Sequence, residues 1–443
     1  MNLRTTDLPE IPIAHRFSRR SPLFSLAALI FGGAFMFAPA IHAQSTLEPP
    51  SLSLDEAVQL TLKQHPRLNV FVNKREAYQG LIDQAGAGQR PEIGFRVEDF
   101  AGTDDISGFD SAETTLSISW VMQGARIDSR VQSAQLAASQ VDIQRNIEAL
   151  DLSARTARLF IQAMVEEQRL NLAREAVEQA RKTVADIGKR VTAGKSPEFE
   201  QLQAEVELAQ RELEAEDLQH ELTSARHQLS AQWGQARKEY RLVGELFRMP
   251  VIDDIDRQYE QLKQNPALSL LATQQRVVQS EIELARIEAR PQWQFSVGVR
   301  RFETTNDFGM VAGFSVPLGR DRSSVGKIRQ LTARQAEYES ESEAIALQLD
   351  TQLYVLLQEI KHSQHVIETL QERIIPALNS AQAQATQAYE TGKLGYQQWA
   401  VIVNKSLGAQ QDLLRAFEAI HLQHVELQRL TGSTLFFQTT PLP

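Results

Sequence analysis

The feature that most constrains this chain is an internal duplication with an offset of about 200 residues. The segment LKQHPRL at 62–68 returns as LKQNPAL at 262–268. An Arg-Pro pair at 90–91 returns at 290–291, so the offset holds across unlike motifs. A period this long does not fit a solenoid repeat, and it favours a tandem duplication of one large unit.

Each unit shows the same order of elements, beginning with two helices separated by a proline and followed by two strands. Apolar and polar residues alternate with period two in the strand segments, which is typical of strands with one apolar face. The predicted helices are 54–64 and 67–88, then 255–264 and 267–289. The predicted strands are about 91–102 and 112–122, then 292–303 and 308–317.

A very long helix and a return helix complete each unit. Apolar residues with three-four spacing predict the seam of a coiled coil, so each pair forms an antiparallel hairpin. At 1.5 Å per residue the longer helices would reach roughly 100 Å. The predicted helices are 126–192 and 197–232, then 323–391 and 396–430, with tip turns at 193–198 and 391–396.

The amino terminus has the pattern of a secretory signal peptide. Basic residues precede an uncharged apolar run over 23–38, and small residues follow at Ala40 and Ala43. We expect cleavage after Ala43, with Ala40 as the alternative site; a retained membrane anchor and a twin-arginine signal are the other interpretations. The predicted domains are the signal peptide 1–43, a first repeat 44–250, a second repeat 251–434 and a carboxyl-terminal tail 435–443.

Composition excludes several classes of function. The chain has 443 residues and no cysteine, which excludes disulfides, thiolate metal sites and a cysteine nucleophile. The net charge of −10 makes nucleic acid an unexpected partner. No stretch after the signal peptide has the ~20 consecutive apolar residues of a membrane helix, so we expect any membrane contact to be made by strands.

Four strands with one apolar face cannot close a barrel by themselves. An open sheet edge is prohibitive in lipid, and closed barrels need about eight strands, so several copies must combine their strands. We therefore predict a mainly α fold with duplicated long helical hairpins (an α-barrel), plus four strands per chain in a trimeric twelve-strand transmembrane β-barrel. The alternative is a soluble coiled-coil protein with exposed β-hairpins.

Several motifs resemble those of a known family. The opening LSLDEA at 52–57, followed by His-Pro at 65–66, is similar to the first motif of the TolC-like outer membrane efflux channels. The segments VEDFAG at 97–102 and AETTL at 112–116 resemble the cobalt–zinc–cadmium (CzcC-type) heavy-metal efflux branch. The segment RRFETTND at 300–307 also looks like that branch, whereas WVMQGAR at 120–126 departs from its pattern.

The resemblance implies a function and a set of partners. It implies a homotrimer in outer membrane lipid of a Gram-negative bacterium, with a long periplasmic extension. A periplasmic adaptor (membrane fusion protein) would connect it to an inner-membrane resistance-nodulation-division pump. The chain would be a passive exit duct for heavy-metal cations, with no enzymatic activity and no cofactor. The alternatives are a channel for drugs or other organic solutes, and a periplasmic coiled-coil protein without a pore.

The resemblance also assigns roles at the hairpin tips. Glu200 and Gln398 take the position of an acidic residue that helps form the family's periplasmic gate. Three copies of Glu200 around one axis would attract cations and repel anions; alternatively, Glu200 is a solvated first-turn glutamate favoured by the helix dipole. The expected adaptor-docking residues are Ala193, Gly194, Lys195, Thr391, Gly392 and Lys393.

Two further groups of side chains are candidates for cation contacts. His362 and His365, and His421 and His424, form i, i+3 pairs that a hairpin centred on residue 393 would bring level. Imidazole binds zinc, copper and nickel, so the four could make a transient metal contact; alternatively, they are polar surface residues. An acidic outer loop is also predicted, or merely soluble loop residues: Asp99, Asp104, Asp105, Asp110 and Glu113.

Overall fold

The computed structural model describes residues 50–106, 108–235, 238, 240–318 and 322–432 of the chain. The predicted signal peptide 1–43 and tail 435–443 lie outside these residues. The described residues are mostly helical, with a small β part, which confirms the prediction of a mainly α fold with four strands in one sheet. The helices are α1 Leu54–Gln64, α2 Pro66–Gly86, α3 Gly124–Thr192, α4 Glu198–Ser230, α5 Ile255–Leu262, α6 Pro266–Glu288, α7 Arg322–Thr369, α8 Ile375–Glu390 and α9 Tyr396–Thr431.

The duplicated proline motif ends one helix and begins the next in both repeats. His65 and Asn265 are the N-caps of α2 and α6, and a proline occupies the first turn of each helix. The His65 Nδ1 accepts a hydrogen bond from the Arg67 N–H at 3.2 Å. The Asn265 Oδ1 accepts one from the Ala267 N–H at 2.8 Å. Because proline lacks an N–H and favours the first helical position, the same turn forms twice.

The two long outgoing helices differ, which corrects the prediction of an unbroken helix over 323–391. The first, α3, runs without interruption for 69 residues. The second is divided into α7 and α8 by a π-helical segment, Leu370–Ile374, and Pro376 follows in the first turn of α8. A proline inside a helix removes one i→i−4 hydrogen bond, and prolines and π-helical turns are both places where a helix departs from regular α geometry.

The strands form two sheets. The predicted strand segments contain an antiparallel sheet of order β2-β3-β5-β6, in which β3 pairs with β5 and so joins the two repeats. Sequence reasoning missed the parallel pair β1–β4. The strands are β1 Ser51–Ser53, β2 Glu92–Glu98, β3 Glu113–Val121, β4 Arg241–Val243, β5 Gln294–Phe302 and β6 Asp307–Ser315.

The first strand of the larger sheet is shorter than the predicted 91–102. It ends at Glu98 because Asp99 and Ala101 adopt left-handed backbone angles, each with φ of 54°. Side chains other than glycine rarely adopt this conformation, and it turns the chain out of the extended path of a strand. The predicted last residues of this strand therefore belong to the outer loop.

The core follows the helical seams rather than forming one central layer. Small residues such as Ala154 and Ala157 are fully buried in α3, and this allows α9 to approach closely. Larger side chains, including Phe160, Trp233 and Phe417, fill the remaining spaces between helices. Among the described residues, no helix combines the length and apolar character needed to cross a bilayer.

Candidate functional site

The four-stranded sheet has two chemically different faces. One face exposes large apolar side chains: Ile93 is 78%, Met310 82% and Phe314 71% exposed. The strand register places serines, glycines and charged residues on the other face. Monomeric soluble proteins rarely expose a contiguous apolar surface of this kind, so the apolar face requires a covering. The exposed large apolar side chains are Ile93, Phe95, Leu116, Ile118, Trp120, Val297, Val299, Phe308, Met310 and Phe314.

Both hairpin tips end their outgoing helix in the same way. Gly194 and Gly392 adopt φ of 69° and 75°, the left-handed region in which glycine carries no steric penalty. In each tip the following lysine N–H donates to a carbonyl five residues back, which is the Schellman arrangement. These bonds run from Lys195 to Arg190 and from Lys393 to Ala388, each at 2.8 Å. The six predicted docking residues are therefore exposed on two turns of matching geometry.

The tips contact each other through side chains that sequence reasoning did not single out. Arg190 of the first hairpin donates to the Tyr389 carbonyl of the second at 2.9 Å. Its guanidinium also lies over the Tyr389 ring, 4.7 Å from the centroid. Tyr389 stacks on Trp399 at 5.3 Å, and Tyr396 packs beside them. The sequence around Arg190 does not predict this contact, because its partner Tyr389 lies about 200 residues away in the chain.

Glu200 lies beside this contact between the tips. It is half-buried in the first turn of α4, where its own N–H donates to the Pro197 carbonyl at 3.1 Å. Burial raises the pKa of Tyr389; the nearby carboxylate of Glu200 adds to the increase, while Arg190 opposes it. Gln398, at the matching position of α9, is exposed and its Oε1 accepts from the Gly395 N–H at 3.3 Å.

The structure does not bring the four histidines into one cluster. Ser363 donates to Gln423 at 3.0 Å, so α7 and α9 have the expected register. However, His362 and His365 are exposed, whereas burial lowers the pKa of His421 and His424. The Nε2–H of His421 donates to the Leu246 carbonyl at 2.8 Å, toward the segment that links the repeats.

Among the described residues, no group of three or more histidine, aspartate or glutamate side chains could hold a metal ion. The role of the histidine pairs therefore stays a prediction, without a metal-binding geometry in this part of the chain.

The acidic residues of the outer loop are divided between the loop and the sheet. Asp99, Asp104 and Asp110 are exposed in the loop, which is held by a stacked pair of phenylalanines. Glu113 instead lies in β3 and bonds to Arg300 of β5 at 2.5 Å. The side chain of Asp105 lies outside the described residues.

Comparisons with known proteins agree with this geometry. Residues 57–235, which contain most of the predicted first repeat, match the family model described as outer membrane efflux protein. The predicted resemblance to the TolC-like outer membrane efflux channels is confirmed. The chain is also 24% identical, over 351 residues, to the cobalt-zinc-cadmium resistance protein CzcC of Cupriavidus metallidurans. That alignment covers 78% of this chain and 81% of the relative.

Solved structures show the same fold. The channel CusC superposes with a TM-score of 0.69 at 15% identity, covering 86% of this chain and 92% of CusC. The outer membrane protein VceC of Vibrio cholerae gives a TM-score of 0.68 at 16% identity, covering 86% and 96%. At these identities the likeness establishes the fold of this chain.

Proposed function

We propose that this TolC-like chain forms a homotrimeric outer membrane channel. The observation that carries this proposal is the sheet with one exposed apolar face and one polar face. Its edge strands, β2 and β6, have no further partner in the described residues. Because lipid cannot satisfy an open edge, copies would pair edge to edge, and three copies would close twelve strands around a small pore.

In this arrangement the polar face lines the pore, and the helical hairpins continue it as a periplasmic duct. The hairpin tips, exposed and built alike, would dock the periplasmic adaptor that connects the duct to a resistance-nodulation-division pump. The duct conducts passively, because the pump supplies the energy, so no enzymatic step is required of this chain. The proposed docking residues are Ala193, Gly194, Lys195, Thr391, Gly392 and Lys393.

We propose heavy-metal cations as the cargo. The similarity to a cobalt-zinc-cadmium resistance protein supports this assignment. The charge of the outer end also supports it, because Asp99, Asp104 and Asp110 would draw cations outward. At the end formed by the hairpin tips, the three copies of Glu200 in a trimer would add a ring of carboxylates. Gln398, at the matching position of the second hairpin, would add no charge.

The test is tolerance in a Gram-negative strain that lacks its own metal-efflux channel. The strain would carry this chain together with its matching adaptor and pump, and cobalt, zinc, cadmium and several drugs would be compared. Selective rescue against the metals supports the proposal. Rescue against drugs alone would reject the metal cargo and retain the channel, and rescue of neither, with trimer present in the outer membrane, would reject both cargoes.

A further inference from the structure

Three strands bring two carboxylates and one guanidinium together on the polar face of the sheet. Glu98 of β2 lies directly opposite Glu113 of β3, and Arg300 of β5 lies opposite Thr115. The Arg300 guanidinium bonds to Glu113 at 2.5 Å, to Glu98 at 3.2 Å and to the Thr115 hydroxyl at 3.0 Å. We call these four residues the Arg300 clamp.

The Glu98–Glu113 pair requires a cation. Like charges directly opposite each other on neighbouring strands repel and destabilise the sheet. Arg300 offsets this repulsion with a hydrogen bond to each carboxylate, and its side chain is only 26% exposed. Its neighbour Arg301 points to the opposite face and instead bonds to Glu303 and Asn306 near the hairpin turn. Arg300, and not its neighbour Arg301, is therefore the arginine that neutralises the Glu98–Glu113 pair.

The same carboxylates would bind a divalent cation if Arg300 were absent. Carboxylate oxygens are the preferred ligands of hard divalent cations and also bind zinc. The two glutamates bond to Nη1 and Nη2 of one guanidinium, so their carboxylates lie close enough together to attract one cation between them. A duct that retained such ions near its outer end would obstruct its own cargo.

We propose that Arg300 is an internal counter-cation that prevents the Glu98–Glu113 pair from retaining divalent cations on their way out. This inference rests on the proposed function, because it places the polar face inside the pore. In a trimer the clamp would occur three times around the outer end. Arg300 is a positioning residue: it determines how the carboxylates interact with ions and does not bind the cargo itself.

The experiment compares purified wild-type trimers with Arg300→Gln trimers in planar lipid bilayers, with zinc chloride as the probe. We expect micromolar zinc to leave the wild-type current unchanged and to reduce the Arg300→Gln current by more than half. The double variant Arg300→Gln/Glu113→Gln removes one ligand and should lose the zinc block. Arg300→Lys keeps the positive charge and should conduct as the wild type does.

A second variant addresses the case in which Arg300→Gln does not assemble. Thr115→Glu keeps Arg300 but adds a third carboxylate to the clamp, so it should also introduce a zinc block. If both assembled variants conduct without a zinc block, or if the wild type is blocked equally, the role of Arg300 is wrong. If the wild type forms no conducting trimer, the proposed function itself fails, which is a distinguishable result.

Discussion

The two helical hairpins match in their tip turns but differ along the helices that lead to those turns. In the first hairpin α3 is continuous, and it carries Glu166, Glu178 and Arg190 on the way to its tip glycine. At the same distances from the second tip glycine the chain has Gln364, Pro376 and Ala388. The tips themselves keep the same backbone geometry. The turns of the two hairpins are therefore alike, whereas their charge and helix continuity differ.

This divergence indicates different roles for the hairpins. The first is an uninterrupted rod whose Arg190 reaches across to the second. The second contains a π-helical segment followed by proline, a combination at which helices bend. We expect movement at the tip to come mainly from the second hairpin. Four substitutions test this comparison.

Arg190→Ala should have the largest effect, because it removes the polar contact between the tips. A hydrogen bond from a charged donor contributes about 2 kcal/mol, which corresponds to a roughly 30-fold shift toward separated tips. Since the chain has no cysteine, spin labels can be attached at introduced cysteines at Thr192 and Glu390 to measure the separation. Arg181→Ala is the matched control, because Arg181 bonds to Glu178 and Glu212, which both belong to the first hairpin. Equal distances in both variants would contradict the expected role of Arg190.

Pro376→Ala should make the second hairpin more like the first. Proline in a helix interior costs up to about 3 kcal/mol relative to alanine, and Pro376 directly follows the π-helical segment. We expect hydrogen exchange over residues 366–380 to slow by roughly tenfold, since 1.4 kcal/mol corresponds to a factor of ten. Pro197→Ala, at the N-cap of α4, is the control and should change little. Faster exchange in Pro376→Ala would show that the proline does not cause the weakness.

Glu166→Gln should stabilise the first hairpin and give it the residue of the second. Burial raises the pKa of Glu166, Glu221 and Glu418 raise it further, and Arg169 opposes them. The folded chain thus holds this proton more tightly than the unfolded chain, and stability falls as the pH rises above about 4.5. The thermal midpoint of Glu166→Gln at pH 7 should rise by about 2 °C, and the gain should vanish below pH 4.

Glu167→Gln provides the control for that measurement. Glu167 is about one-third exposed and pairs with Arg226 at 3.3 Å, so its loss should lower the midpoint slightly. A gain of the same size in both variants would remove burial as the explanation.

Glu200→Gln should have the smallest effect, because it only makes the first tip as neutral as the second. The preference of the channel for cations over anions should fall by less than threefold, as measured by the reversal potential in a salt gradient. Gln398→Glu should change the preference in the opposite direction. Glu198→Gln, in the same first turn but exposed, is the control. An unchanged preference in both Glu200→Gln and Gln398→Glu would leave Glu200 as a solvated glutamate.

Much of the fold follows from periodicity in the sequence. The His65-Pro66 and Asn265-Pro266 turns mark helix boundaries because proline and a capping side chain act locally. Apolar and polar residues alternate along β5 and β6, and this predicts one apolar and one polar face. The signal is again local, because neighbouring residues of a strand point to opposite faces. The π-helical segment was not predicted, since a single Pro376 in a long helical pattern allows either a kink or a local bulge. The short pair β1–β4 was also missed, because three residues carry too little pattern.

The candidate site was less predictable than the fold. The tip turns carry the local signal of glycine followed by lysine, and the structure places them as matching turns. The contact of Arg190 with Tyr389 and the Arg300 clamp both join residues that are almost 200 positions apart. Such contacts depend on how the two repeats pack, and one sequence contains no information about that register. The four histidines illustrate the opposite case. Their spacing in the sequence sets them at matching heights along the second hairpin, but their side chains do not come together as a metal-binding group.

The proposed channel depends on three copies of this chain closing one barrel through the edges β2 and β6. The most direct test is the mass of the particle extracted with detergent from washed outer membranes of cells that produce the full chain. For the trimeric channel we expect a particle of three chains that also opens pores in a planar bilayer. A single chain recovered from the soluble periplasmic fraction would contradict it.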